Sequence, residues 1–137
     1  MKFHLTWQRL SLWIALGEHV QQCACNYKNE RPLMKALVIG AGGVGSAIAN
    51  IASRRSFITE MVIADRNLSR AEAAVTKVKD SRFSAAEVNA AELEDVRALI
   101  RKANPDIVVN AVDPRYVMPI FLACEIENTN YMDMAMS

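Results

Sequence analysis

Apolar positions alternate between two periods along this chain. Residues 36–39, 61–64 and 107–112 form short, almost continuously apolar runs, the last interrupted by Asn110, as expected of strands buried on both faces. After the first run, Val44, Ile48, Ile51 and Arg55 recur at helical spacing, and Arg54-Arg55 places cations where a helix C-terminus favours them. Asp65 closes the second run, and Ser69 with Glu72 has the spacing of a capping box opening an alanine-rich helix towards Lys79. Residues 83–89 read as a weaker strand. In the next helix Glu92, Glu94 and Asp95 crowd the start, Arg101 and Lys102 close it, and Leu93, Val96 and Ile100 form the buried stripe. Asp113-Pro114 then reads as an N-cap with proline at the first helical position. A helix through Met118, Phe121 and Leu122 follows, and a last strand begins near Tyr131.

Strict alternation of strand and helix predicts an α/β fold with a parallel sheet covered on both faces. Right-handed crossovers leave few windings, and the Rossmann-type doubly wound sheet of five strands in order 3-2-1-4-5 is the expected one.

Composition changes at Pro32. Residues 1–33 hold both tryptophans, both histidines and two of the three cysteines, and are expected to form a poorly ordered N-terminal extension to a folded domain at 34–137. Within the extension, Phe3, Trp7, Leu10 and Ile14 have amphipathic helical spacing. Lys2, Arg9 and residues 10–16 faintly resemble a secretory signal, but Ser11 dilutes the core and no cleavage site follows closely. His19, Cys23 and Cys25 lack the further ligand pair of a structural zinc, so no metal site is expected.

Charge and cysteine content narrow the function classes. With 16 basic and 15 acidic residues scattered along the chain, no basic block exists to pair with nucleic acid. No apolar run reaches the roughly 18 residues of a membrane-spanning helix. An odd number of cysteines argues against a disulfide framework and for a reducing, cytoplasmic setting.

Chemistry concentrates where four of the five glycines meet. Gly40, Gly42 and Gly45 make G-x-G-x-x-G with Gly43 as an extra glycine, between a buried strand and a helix. Gly40 allows the tight turn, Gly42 the close approach of a pyrophosphate, and Gly45 close packing of helix on strand. Amides around Gly43 and Val44 then face the phosphates at the helix N-terminus. Asp65 ends the next strand at the expected distance of about 20 residues and suits the adenosine ribose hydroxyls, which favours NAD over NADP. Arg66 either binds a 2′-phosphate with Asp65 turned away, stacks on adenine, or is a solvated charge. Asn110, at the carboxyl end of the fourth strand, either contacts the cofactor or ties the following loop.

Beyond the glycine loop, "ALVIGAGGVGSAIA" (36–49), "VIADRNLSRA" (62–71), "PDIVVNAVDPRYVMPIFLACE" (105–125) and "NYMDMAMS" (130–137) resemble the saccharopine dehydrogenase family, which includes lysine 6-dehydrogenases and carboxynorspermidine dehydrogenases. The resemblance runs from Met34 to Ser137 and covers only the family's N-terminal NAD(P)-binding domain. It implies an oxidoreductase acting on C–N bonds of amino acids or polyamines, with NAD or NADP as cofactor. Gly40, Gly42, Gly43, Val44 and Gly45 match the family's pyrophosphate loop, Asp65 and Arg66 its adenosine-ribose site, and Asn110, Ala111 and Val112 the segment beside the cofactor. Asn89 stands where the family often has aspartate.

The family follows this domain with a substrate and dimerisation domain, which this chain is expected to lack. No catalytic residue is assigned. Cys124 reads as a small core residue and Asp113 as a cap, while Tyr131 and Asp133 are left without a role. Three readings follow. One is a truncated family member that binds NAD(P) without turnover and needs a substrate domain or a second copy. Another is a nucleotide-sensing regulatory Rossmann module, and the third a degenerate product.

Overall fold

The computed structural model describes residues 32–134, and the unit that carries the fold begins at Leu33. The expectations for the N-terminal extension, including its helix and His19, Cys23 and Cys25, lie outside the described residues. So does the end of the last matched stretch, residues 135–137.

Among the described residues five strands and four α-helices alternate. They are β1 (Met34–Ile39), α1 (Gly43–Ser53), β2 (Ile58–Asp65), α2 (Leu68–Val78), β3 (Phe83–Glu87), α3 (Leu93–Ala103), β4 (Ile107–Asn110), α4 (Val117–Ile126) and β5 (Asn130–Asp133). The strands form one sheet in order β3-β2-β1-β4-β5, every neighbouring pair parallel. The order reverses between β1 and β4, the switch point at which open α/β sheets leave a crevice.

Alternation within each strand divides the core into two layers. Ala36, Val38, Met61 and Ile63 point to one face, under Ala49 and Ala52 of α1 and Ala71 and Ala74 of α2. Leu37, Ile39, Val62 and Val108 point to the other, under Val96, Leu99 and Ile100 of α3 and Ile120, Ala123 and Cys124 of α4. The central strand is therefore buried from Ala36 to Ile39, which is why it reads as an unbroken apolar run.

Helix ends differ from expectation in instructive ways. Ser69 does not cap α2. Leu68 is already helical, so Asn67 takes the cap and its side chain accepts a hydrogen bond from the Ser69 amide at 3.0 Å. Asp113 does cap, accepting from the Arg115 amide at 3.0 Å, but the turn it opens is 3-10 (Pro114–Tyr116) before α4 begins. At the end of α1 the cation comes from β3's leading edge. Arg82 donates to the carbonyls of Ser53 (2.7 Å), Arg55 (2.9 Å) and Ile58 (2.6 Å) while paired with Asp80.

Two strands are shorter than expected from residues 83–89 and 107–112. β3 stops at Glu87, and β4 at Asn110, so Ala111 and Val112 leave the sheet as a corner.

Candidate functional site

The glycines divide by what the fold itself demands. Gly40 has φ +113°, and a Cβ there would stand 2.6 Å from the Ala111 carbonyl oxygen and 2.9 Å from Val112 Cγ1. A Cβ at Gly45 would overlap the Gly40 carbonyl. Gly42 and Gly43 have no such constraint. The nearest atom to a Cβ at Gly42 is Arg70 Nη2 at 3.7 Å, an ordinary contact, and nothing lies within reach at Gly43. Packing explains the outer two glycines, whereas the inner two keep open a space above the loop.

Backbone donors face that space. The first helical amide with an acceptor is that of Ser46, which donates to Gly42 O at 2.9 Å. The amides of Gly43, Val44 and Gly45 meet no acceptor among the described residues, no side chain caps α1, and its first turn holds no acid. Uncapped amides at the positive end of a helix dipole form a site for a phosphate-type anion.

Asp65 stands across from the loop and is tied to it. Its Oδ2 accepts from the Ala41 amide at 2.8 Å and its Oδ1 from the Asn67 amide at 2.9 Å. The carboxylate thus locks the glycine loop to the β2 exit. Beyond it, a cleft lined by Asp65, Arg66, Asn67, Ser69, Arg70 and Glu87 opens beside the start of α2. A neighbouring cavity of about 820 Å³ runs from Arg66 past Val88 and Asn89 to α3, a size suited to part of a small ligand. Neither Arg66 nor Arg70 has an acidic partner among the described residues. Asn89 is engaged with its own turn, its side chain accepting from the Ala91 amide at 3.2 Å.

Asn110 is the one polar residue among the buried described ones, with no exposure at all. Its Oδ1 accepts from the Val112 amide at 3.1 Å and its Nδ2 donates to Tyr131 Oη at 3.0 Å. Both ends of the amide are thus used within the protein, which resolves its burial cost. The Ala111 amide donates to Ile39 O at 2.8 Å, and the Ala111 carbonyl backs onto Gly40. Asn110, Ala111 and Val112 therefore form a wall against the loop, set by β4.

Sequence reasoning missed two groups here. Arg70 reaches over Gly42, and its signal was its place four residues after Arg66 at the opening of a helix. Tyr131 donates to Asp133 Oδ2 at 3.0 Å and packs edge-on against Phe121, a pairing that needs β5 beside β4. Burial chiefly raises the Tyr131 phenol above its usual pKa, and the hydrogen bond from Asn110 opposes that rise. Cys124 is buried in the layer beneath α4, which pushes its thiol up to about 11.

Among the described residues no group of three His, Cys, Asp or Glu side chains lies together as a metal site. No helix among them is long and apolar enough to cross a membrane.

Comparison with known proteins places this geometry. The family model described as "Saccharopine dehydrogenase NADP binding domain" matches residues 36–137. Carboxynorspermidine synthase of Vibrio cholerae is 31% identical over 113 residues, covering 76% of this chain and 27% of that protein. Carboxyaminopropylagmatine dehydrogenase of Synechocystis is 23% identical over 103 residues, covering 75% of this chain and 26% of that protein. The chain thus spans about a quarter of the length of these relatives. Among solved structures, apo saccharopine dehydrogenase (L-Glu forming) from Saccharomyces cerevisiae superposes with a TM-score of 0.66 at 14% identity, over 76% of this chain and 22% of that one. The shared fold is the five-stranded parallel sheet.

Proposed function

Because the chain belongs to the saccharopine dehydrogenase NADP-binding domain family, we propose that it is the cofactor-holding domain of an oxidoreductase acting on a C–N bond of a polyamine-type substrate. The substrate class is carried by the names of the two relatives. The observation that supports cofactor binding most directly is the bare cradle over Gly42 and Gly43, floored by the unused amides of Gly43, Val44 and Gly45. A dinucleotide pyrophosphate fits that donor set. Gly40 and Gly45 shape the loop, Asp65 fixes it, and Ala111 and Val112, held by Asn110, wall its far side. The cofactor would supply hydride chemistry, and these residues bind and orient it.

Of the two cofactors we favour NADP. Asp65 lines the adenosine cleft but spends both its oxygens on the amides of Ala41 and Asn67. Arg66 and Arg70 line that cleft together with Ser69. Paired guanidinium groups suit a 2′-phosphate, and this outweighs the fingerprint argument for NAD.

The domain by itself is proposed to bind cofactor without turnover, since most of each relative's length lies outside the matched region. Met118, Leu122 and Ile126 leave α4 with an exposed apolar face, which we assign to a substrate-binding partner or a second copy. A cytoplasmic setting is part of the same reading, in keeping with the buried free thiol of Cys124.

Titration of the chain with NADPH and NADH, followed by nucleotide fluorescence, tests this. NADPH is expected to bind about tenfold more tightly or better, the scale of a charge-assisted contact. Failure of both to bind at millimolar concentration overturns the proposal, and tighter NADH binding restores the NAD reading.

A further inference from the structure

We propose that Tyr131 is a positioning residue for the cofactor crevice, acting through Asn110 to hold the wall at Ala111 and Val112 against the glycine loop. The inference rests on the cofactor reading above and adds to it a residue from outside the loop.

Register brings the phenol to the amide. β5 is an edge strand of the sheet, and among its residues Tyr131 alone is not exposed. Tyr131 aligns with Val108, and Asn110 lies two residues further along β4, on the same face. A diagonal of that kind is within reach of an aromatic side chain. Tyr131 Oη accepts from Asn110 Nδ2 at 3.0 Å and donates to Asp133 Oδ2 at 3.0 Å. Its single proton is thus directed to Asp133, which leaves an oxygen lone pair for the Asn110 amide. The ring is set edge-on against Phe121, with centroids 5.5 Å apart.

Asn110 passes this constraint to the loop. It is fully buried, and its Oδ1 accepts from the Val112 amide at 3.1 Å. A flipped side chain would set its NH2 against the Val112 N–H, so one orientation satisfies both ends. Without the phenol oxygen, Nδ2 becomes a buried donor lacking an acceptor, which is costly. The side chain relieves that cost by turning, and turning releases Val112. The wall in turn leaves the loop no room. A Cβ at Gly40 would lie 2.6 Å from the Ala111 carbonyl oxygen and 2.9 Å from Val112 Cγ1. Close-packed contacts of this kind transmit a shift of one partner to the other.

The two sides of the crevice are separable by ligand. The wall stands on the β4 side of the switch point, whereas Arg66 and Arg70 line the cleft at the end of β2. A dinucleotide bound across the crevice spans both sides, and its adenosine half alone reaches only the second. A phenol that merely stabilised the fold would affect both ligands alike.

The test uses the 137-residue chain with NADPH and with 2′,5′-ADP, which carries the adenosine half and its 2′-phosphate alone. In Tyr131→Phe, hydrogen exchange at the Val112 amide should quicken by about tenfold, the scale of one lost buried hydrogen bond. Exchange at Val38, in the central strand, should not change. NADPH affinity should fall by about fivefold or more while 2′,5′-ADP stays within about twofold. Once Asn110→Ala is in place, adding Tyr131→Phe should cost nothing further. Tyr116→Phe, the loss of a second phenol packed against the same layer, should leave all three readouts at the parent value. A parent chain that binds no NADPH removes the cofactor reading, whereas Val112 exchange judges the relay by itself. Unchanged Val112 exchange in Tyr131→Phe overturns the inference, as does an equal loss of both nucleotides or undiminished NADPH affinity. If Asn110→Ala does not fold, the exchange and the nucleotide comparison decide without it.

Discussion

A Cβ at Gly45, in the first turn of α1, would overlap the carbonyl oxygen of Gly40, the residue that turns the chain out of β1. The helix sits as close to the end of the strand as it does because Gly45 carries no side chain, while Gly40 is needed separately for its positive φ and its contact with Ala111.

Substitution should therefore separate fold from binding within one loop. Gly45→Ala is expected to destabilise the domain by about 3 kcal/mol or more, as overpacking against backbone does. Gly43→Ala meets open space and should stabilise the helix by a few tenths to about 1 kcal/mol. The same Gly43→Ala should weaken NADPH binding by about tenfold, through the loss of a close amide–phosphate contact. Urea unfolding and nucleotide titration on the two variants measure both quantities.

Arg70 should decide cofactor choice more than cofactor affinity as such. Its guanidinium stands over Gly42 without an acidic partner among the described residues. Arg70→Ala is expected to cost NADPH binding about tenfold and leave NADH within about twofold. The NADPH loss should shrink as salt is raised, because an exposed charge contact is screened. Parallel loss of both nucleotides would assign Arg70 to the pyrophosphate instead.

Acid stability should report two carboxylates. The hydrogen bond from Arg82 holds Asp80 below its usual pKa, and hydrogen bonds from Arg101 and then Arg97 do the same for Glu127. A depressed folded pKa means that the unfolded chain binds more protons in this window. The stabilisation is therefore present above the unfolded value of about 4 and disappears as pH falls through the folded value. Thermal midpoints of Asp80→Asn and Glu127→Gln should lie below the parent at pH 6 and converge with it near pH 2.

Tyr131 works in the opposite direction. Its folded pKa is raised, first by burial, so the stability it confers is complete below the unfolded phenol value and is lost as pH rises through the folded one. The difference in tyrosinate absorbance between the parent and Tyr131→Phe isolates this residue from Tyr27 and Tyr116. It should titrate above the usual value of about 10.

Cys124 should be inert while the domain is folded. Its thiol is raised to about 11 in a buried site, so little thiolate exists at pH 8. Peptide mapping after brief iodoacetamide treatment should find Cys124 unmodified in the native chain and modified in urea.

Amino-acid order alone determined the architecture. Strands buried on both faces must be apolar throughout, helices that cover them must repeat at 3.6 residues, and both signatures are local, so five strands and four helices were legible, while the handedness of crossovers narrowed their order to 3-2-1-4-5. The glycine loop was legible as a strand-to-helix turn for the same reason, since its spacing lies within six consecutive residues. What tertiary structure decided are the partners brought from elsewhere. Arg82 closes α1 from the start of β3, and Arg70 reaches back over Gly42 from α2. Asn110 finds Tyr131 only because β5 lies beside β4. It also decided that Asp65, correctly placed opposite the loop, spends its oxygens holding the loop in shape. Residue spacing carries no record of such pairings, because a hydrogen bond across strands depends on register and on which face each side chain takes, and both are set when the sheet assembles.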